Sequence, residues 1–160
     1  MIYHYPLLSK HDFLLFRLHG AGLANHLFPM YRAFQNSKET NGEFLFPPLV
    51  QLKVGTFIRR EHDKRIYFNL FNHRTLNELL KLKVFFSSNK CDEFNYESLN
   101  QEKDGVIIYT GINDHFKSFN NEFREDFVDM LKSRSKNKAR LFSELSLIKK
   151  DDICIHIRRG

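Results

Sequence analysis

The sequence predicts an α/β fold with a mainly parallel sheet, and three observations support this prediction. Short apolar runs at residues 13–18, 105–109 and 153–157 have the length and composition of buried strands. Apolar residues between these runs recur at helical spacing. Strands that alternate with helices along a chain normally form a parallel sheet with helices on its faces. The 160 residues, 42 % of them hydrophobic and 28 % charged, suffice for one such domain with its own core.

The first predicted unit is a strand, a glycine turn and a helix. The strand at 13–18 leads into Gly20 and Gly22, and glycine tolerates the positive φ of a tight turn. Apolar residues then recur at helical spacing over 23–34, where Pro29 is expected to kink the helix or to delay its start. Strand, glycine turn and helix form the opening of a Rossmann-like sheet.

The middle of the chain predicts shorter elements. Residues 36–50 have the composition of a loop, and 51–71, which are rich in basic and aromatic residues, predict mostly loop with short extended pieces. A short helix is predicted over 75–82, because its leucines fall on one face. We also expect a strand at 84–86 and a polar loop over 89–104.

The last third of the chain predicts two strands and two helices. The strand at 105–109 is expected to be buried and to share one sheet with 13–18. Amphipathic patterns predict helices over 121–132 and 138–147. The final predicted strand lies at 153–157.

No helix follows the final strand, although parallel strands normally have helices on both faces. We therefore expect the chain to be interrupted at this strand rather than finished.

Composition and charge restrict the partners. A net charge of +6 favours anionic partners, namely phosphates, nucleic acid or an acidic membrane surface, without choosing among them. Cys91 and Cys154 lack CxxC spacing, so no metal site and no disulfide are expected. No apolar run approaches the ~20 residues that span a bilayer, and the start lacks the apolar segment of a signal peptide. The expected location is the cytoplasm, and contact with the inner membrane face stays open.

The end of the chain is the first candidate binding site. His156, Arg158 and Arg159 stand at the carboxyl end of the final predicted strand, where α/β sheets bind ligands. Guanidinium groups offer fork-shaped donors that suit phosphate oxygens. The alternative is a charged tail beside a core histidine.

The glycine turn is the second candidate. A turn with Gly20 and Gly22 that leads into a helix points backbone N–H groups towards an anion, and Asn25 follows directly. The third glycine of the dinucleotide fingerprint is missing, so NAD binding is not supported. An ordinary turn without a ligand is the alternative.

Taken together, the two sites resemble a known family. LHGAGLANHLF at 18–28 resembles the G-G-L-G-N-Q-L-F opening of bacterial α-1,2-fucosyltransferases, with Ala24 in place of a glycine and His26 in place of the glutamine. HIRRG at 156–160 resembles the H-x-R-R-x-D motif that α-1,2-, α-1,6- and protein O-fucosyltransferases share. Further similar segments lie at 51–55, 59–65 and 114–116.

The resemblance implies a GT-B glycosyltransferase, in which two Rossmann-like domains face each other across a cleft. This chain would supply the N-terminal, acceptor-side domain of an enzyme that moves fucose from GDP-fucose to a galactoside hydroxyl, in glycan or surface polysaccharide synthesis. The resemblance implies that this domain spans 1–150 and that 151–160 are the first strand and start of a donor-binding domain that the chain does not contain. In the family, the first arginine of the motif contacts the β-phosphate, and this arginine corresponds to Arg158. His156 and Arg159 would support that site, and the turn from Gly22 to Asn25 would approach the donor from the first domain.

The implied reaction needs neither a metal nor another cofactor. Fixed positive charge beside the departing GDP lowers the barrier as the fucosyl–phosphate bond breaks. The resemblance also implies inversion, which usually requires a base for the acceptor hydroxyl. No base is assigned: Glu61, Asp63 and Asp114 are open as candidates, and a surface or structural charge is the favoured interpretation of each.

The sequence also departs from the family. The motif's final aspartate and the guanine and fucose pockets are missing, so we expect this chain alone to be inactive and a complementing C-terminal fragment to be a partner. A different interpretation is a basic module that binds nucleic acid or another anion, based on the charge and on residues 53–71. Against it, the sequence has no RRM, KH, helix-turn-helix or OB signature, and nucleic acid is not the expected partner.

Overall fold

A computed structural model describes residues 1–9, 11–13, 16–18, 23–52, 58–60, 71, 75–99, 103–110 and 121–136. Their strands are β1 (Ile2–Pro6), β2 (His11–Phe13), β3 (Phe16–Leu18), β4 (Glu43–Phe44), β5 (Gln51–Leu52), β6 (Lys90–Asp92) and β7 (Gly105–Tyr109). Their α-helices are α1 (Leu23–Glu39), α2 (Thr75–Phe86) and α3 (Arg124–Arg134). Two short 3-10 helices lie at Tyr96–Ser98 and Asn121–Phe123.

The main sheet has four parallel strands in the order β4-β1-β7-β6. Strand β1 lies inside the sheet, where Tyr3 is opposite Val106 on one side and Glu43 on the other. Helices lie between its strands along the chain. The described residues therefore have an α/β fold with a mostly parallel sheet, as the sequence predicts.

Helices cover both faces of this sheet. Alternate residues of a strand point to opposite faces. Tyr3 and Val106 belong to a buried cluster with Val84 of α2, whereas Ile107 belongs to another with Ala33 of α1. Full burial of a large apolar side chain contributes roughly 1.5–3 kcal/mol relative to its exposure, so these contacts hold the helices against the sheet.

Helix α1 forms the largest part of the core on its side. Leu27, Met30, Tyr31 and Phe34 repeat at helical spacing and pack against Phe127 of α3 and against the segments that follow β1 and β4. The helix begins at Leu23, so the delayed start that was one expectation for Pro29 does not occur.

A Schellman motif ends α1. The Gly42 amide donates to the carbonyl of Ser37 at 2.8 Å, and the Asn41 amide donates to that of Lys38 at 3.4 Å. Asn41 has a φ of 54°, the left-handed conformation that this motif requires. The chain then enters β4 directly.

The predicted strand at 13–18 is wrong as a single element. Strands β2 and β3 are antiparallel, with Phe13 opposite Phe16, and β3 also pairs with Gln51–Leu52 in a second, three-stranded sheet. The predicted pairing of 13–18 with 105–109 is therefore also wrong. The physical reason is that β1 pairs with β7 along the edge that the segment 13–18 would need.

Three further predictions need correction. Residues 84–86 continue α2 rather than form a strand, because the leucine pattern of that helix extends to the buried Val84. The segment 36–50, predicted as a loop, is helical as far as Glu39, where α1 ends, and it also contains β4. The loop predicted over 89–104 contains β6 and a 3-10 helix.

The remaining predictions divide into those confirmed and those outside the described residues. The helices at 23–34, 75–82 and 121–132 and the strand at 105–109 are confirmed, although α3 begins with a 3-10 turn. The elements at 138–147 and 153–157 and the domain boundary after residue 150 lie outside the described residues and stay predictions. Among the described helices, none is long and apolar enough to cross a membrane.

Candidate functional site

Of the residues predicted to bind the donor, Asn25 is described. It is exposed in the first turn of α1. The others, Gly20, Gly22, His156, Arg158 and Arg159, lie outside the described residues, and their predicted roles stay predictions.

The first turn of α1 extends past the carboxyl edge of the main sheet. At the C-terminal end of the helix, the Thr40 hydroxyl lies 2.8 Å from the ring of His4, in the middle of β1. Further towards the N-terminus, Arg32 donates to the carbonyl of Thr110, the residue that follows β7, at 3.0 Å. Asn25 lies two turns beyond Arg32, or about 10 Å further along the axis at 1.5 Å per residue. Ligands of parallel α/β sheets bind outside this edge.

Pro29 changes the hydrogen bonding of this first turn. A proline has no N–H, so Pro29 cannot donate to the carbonyl of Asn25, four residues earlier. The side chain of Asn25 is exposed, whereas that of His26 is buried, with 2 % of its surface exposed. The turn therefore presents Asn25 outwards and keeps His26 inside the protein.

A partly buried ion pair fixes the same edge of the sheet. Arg32 donates to Glu93 through Nε at 2.9 Å and through Nη2 at 2.8 Å. Their side chains are only 12 % and 8 % exposed, and a bidentate pair of this kind is directionally specific. Glu93 follows β6 and Thr110 follows β7, so Arg32 joins two loops to α1 at the carboxyl edge.

A second polar cluster lies deeper, between β1, β7 and the end of α1. The Thr40 hydroxyl donates to the Asn36 carbonyl at 2.7 Å, so it accepts from Nε2 of His4, which carries the ring hydrogen. Nδ1 of His4 then accepts from the Tyr109 hydroxyl at 2.8 Å, and that hydroxyl accepts from the Asn36 amide at 3.0 Å. Each polar group of this network has a partner.

Burial controls the ionisation of this network. Desolvation lowers the pKa of His4 to about 4, so its ring is neutral at neutral pH. Desolvation likewise raises the pKa of the Tyr109 hydroxyl well above its usual value. With both ring nitrogens engaged and the ring fully buried, His4 is suited to a structural role rather than to proton transfer.

A cavity of about 690 Å³ opens beside this network, on the α1 face of the sheet. Its lining includes His4, the buried Ile107 and the exposed residues Glu39, Tyr96 and Glu97. Among the described residues, no group of three or more potential metal ligands comes together.

Sequence reasoning missed all of these polar groups. The signal for β1 was available, because Ile2, Tyr3 and Tyr5 are residues that favour strands. No comparable signal pairs Arg32 with Glu93, since the two are 61 positions apart. Only the folded sheet brings them together.

Comparison with known proteins adds no relative: no family model, no curated protein and no solved structure matches this chain.

Proposed function

We propose that this chain supplies the acceptor-side α/β domain of an inverting glycosyltransferase that moves fucose from GDP-fucose to a galactoside hydroxyl. The observation that carries the proposal is the position of α1. Its first turn, directly after Gly20-Ala21-Gly22 in the sequence, lies beyond the carboxyl edge of a mostly parallel sheet and exposes Asn25. Backbone N–H groups at such a turn favour the diphosphate of a sugar nucleotide.

The resemblance to the H-x-R-R motif supplies the other half of the proposed site. Arg158 contacts the β-phosphate and stabilises the charge that develops on GDP as the fucosyl bond breaks. His156 and Arg159 orient that arginine, while Asn25 and the turn before it approach the donor from the opposite side. GDP leaves as the fucosyl bond breaks, and the fixed guanidinium groups stabilise its negative charge. The reaction therefore needs no metal ion.

Two substitutions test the proposal in a complemented enzyme, in which the missing C-terminal half is supplied by fusion or by co-expression of a fragment. Transfer of radiolabelled fucose from GDP-fucose to lactose is measured without a divalent metal. Arg158→Ala should lower kcat by a few hundred-fold, because loss of one preorganised donor costs roughly 3–4 kcal/mol in the transition state. Asn25→Ala should lower kcat/KM by roughly 10- to 150-fold, since a hydrogen bond to a charged group contributes about 1.5–3 kcal/mol.

Lys132→Ala provides the matched control. Lys132 is a cation on α3 that pairs with Asp129 at 3.0 Å, and its loss should leave transfer unchanged. Fucose transfer that is insensitive to Arg158→Ala would remove the motif from the mechanism. An absence of transfer with every galactoside, in a folded complemented enzyme, would refute the proposed function itself.

A further inference from the structure

The cavity on the α1 face has the shape of a small-molecule site. Its volume of about 690 Å³ falls within the roughly 300–1,000 Å³ that is usual for such sites. Ile107, which is 4 % exposed, forms its floor together with Leu99. Tyr96 borders the opening and leaves 59 % of its surface exposed. An apolar ligand body would fit against this floor, with one face against the tyrosine ring.

The charges at the opening are mostly negative. Glu39 and Glu97 both line the cavity, are exposed, and form no ion pair with the described residues. Glu39 accepts a hydrogen bond from the Gln35 amide at 2.9 Å, which leaves its charge uncompensated. Among the described residues of the lining, Lys103 is the cation that forms no ion pair. These described residues thus include two carboxylates and one ammonium group without an ion pair, on a protein whose net charge is +6.

The other ionisable groups of the lining do not alter this balance. Glu93 is neutralised by its bidentate pair with Arg32. The amino group of Met1 pairs with Asp104 at 2.9 Å. His4 is neutral because its desolvated ring has a pKa of about 4. The cavity therefore disfavours a diphosphate, and it is a different site from the proposed donor site.

We propose that this cavity binds a small organic cation with an apolar body, a primary ammonium compound. The ammonium group lies between Glu39 and Glu97, and the face of the Tyr96 ring stabilises it by a cation–π contact. The apolar body covers Ile107 and Leu99 and leaves water. This inference rests on the cavity alone and holds whether or not the chain belongs to a glycosyltransferase.

Three probes of nearly equal size and different charge test the proposal: benzylammonium, benzyl alcohol and phenylacetate. Each is titrated at neutral pH and low salt into the isotope-labelled 160-residue chain, with dissociation constants taken from amide chemical shifts. The expected affinity order is benzylammonium, then benzyl alcohol, then phenylacetate, with the largest shifts at Leu99 and Ile107. Benzylammonium should bind at least threefold more tightly than the alcohol, and its advantage should shrink in high salt.

Charge substitutions then act in opposite directions on benzylammonium binding. Glu97→Gln should weaken it roughly threefold, whereas Lys103→Gln should strengthen it by a similar factor, since single exposed charges contribute about 0.2–1 kcal/mol. Glu125→Gln is the matched control, because Glu125 is an exposed carboxylate of α3 that is not part of the lining.

Two neighbouring aromatic residues provide a second comparison. Tyr96→Ala should weaken benzylammonium binding roughly two- to fivefold, the range expected for a cation–π contact. Phe94→Ala should have no effect, because Phe94 is 78 % exposed but does not line the cavity.

Equal affinity for all three probes, tighter binding of phenylacetate, or no shift at Leu99 and Ile107 with benzylammonium would each overturn the proposal. So would tighter binding of galactose than of benzylammonium, since the cavity would then be a sugar site.

Discussion

The buried ring of His4 makes a specific prediction about acid stability. In the unfolded chain a histidine has a pKa of about 6.5, whereas burial lowers the pKa of His4 to about 4 in the folded protein. Below pH 6.5 the unfolded chain therefore binds a proton that the folded protein does not. The contribution of His4 to stability is complete above pH 6.5 and is lost as the pH falls towards 4.

The magnitude follows from this difference in pKa. At 1.36 kcal/mol per unit, His4 alone should lower the free energy of unfolding by about 1.4 kcal/mol at pH 5.5 and by about 3 kcal/mol at pH 4. Urea unfolding followed by circular dichroism, at a series of pH values from 7.5 to 4, measures this loss. The variant His4→Gln has no titrating group at this position, so its stability should depend less on pH by these amounts.

Other acidic groups near the ring do not confuse the comparison. Glu39 and Glu93 line the same cavity as His4, and both residues are present in the native protein and in the variant. Their effect therefore cancels in the difference between the two curves. Parallel curves would contradict a buried neutral ring. Should His4→Gln fail to fold, the ring protons of His4 in the native protein give the answer by NMR, because they should not titrate near pH 6.5.

Three other predictions follow from contacts and from the proposed function. Gly42→Ala should lower stability by about 1–3 kcal/mol in urea unfolding, because an added Cβ would lie 2.8 Å from a backbone oxygen; Gly105→Ala, where the closest atom is a side-chain carbon at 3.1 Å, should cost less. Arg32→Met or Glu93→Gln should each cost about 1.5–3 kcal/mol by removing charge-assisted hydrogen bonds of a partly buried pair, and the double variant should cost clearly less than the sum. Arg158→Lys should restore little of the transfer lost in Arg158→Ala, since a lysine cannot form the bidentate fork; rescue above one tenth of the native rate would contradict this role.

Local patterns predicted the helices better than the strands. Helix α1 was predictable because its apolar residues repeat at helical spacing and remain buried in the structure, as Met30 and Phe34 show. Strand β1 was not recognised, because His4 and Pro6 interrupt its run of strand-favouring residues. The burial of His4 depends on a hydroxyl 105 positions away, and a local pattern contains no such information.

The same limit applies to the candidate site. The sequence placed Asn25 at the start of a helix, and this prediction is confirmed. The sequence could not predict where that helix lies relative to the sheet. The helix is attached to the sheet by a hydrogen bond from Arg32 to a carbonyl 78 positions away. The apolar run at 13–18 was assigned to the wrong sheet for a related reason: a strand's partner is chosen by tertiary contacts, whereas its composition only favours an extended chain.

Helix α1 links the described polar groups into one structural unit. Its C-terminal end holds the His4 network through Thr40, and its middle holds the loops after β6 and β7 through Arg32. Interactions at these two points resist both rotation and translation of α1, because either movement would separate polar groups from their hydrogen-bond partners. The first turn, with Asn25, is thus held in place from within the protein rather than by its own contacts with a ligand.

A disrupted Arg32–Glu93 pair should therefore reduce the proposed fucose transfer in the same way as Asn25→Ala, through kcat/KM, although neither charge touches the proposed donor. Unchanged transfer in a folded Glu93→Gln variant would show that the position of α1 does not depend on this pair.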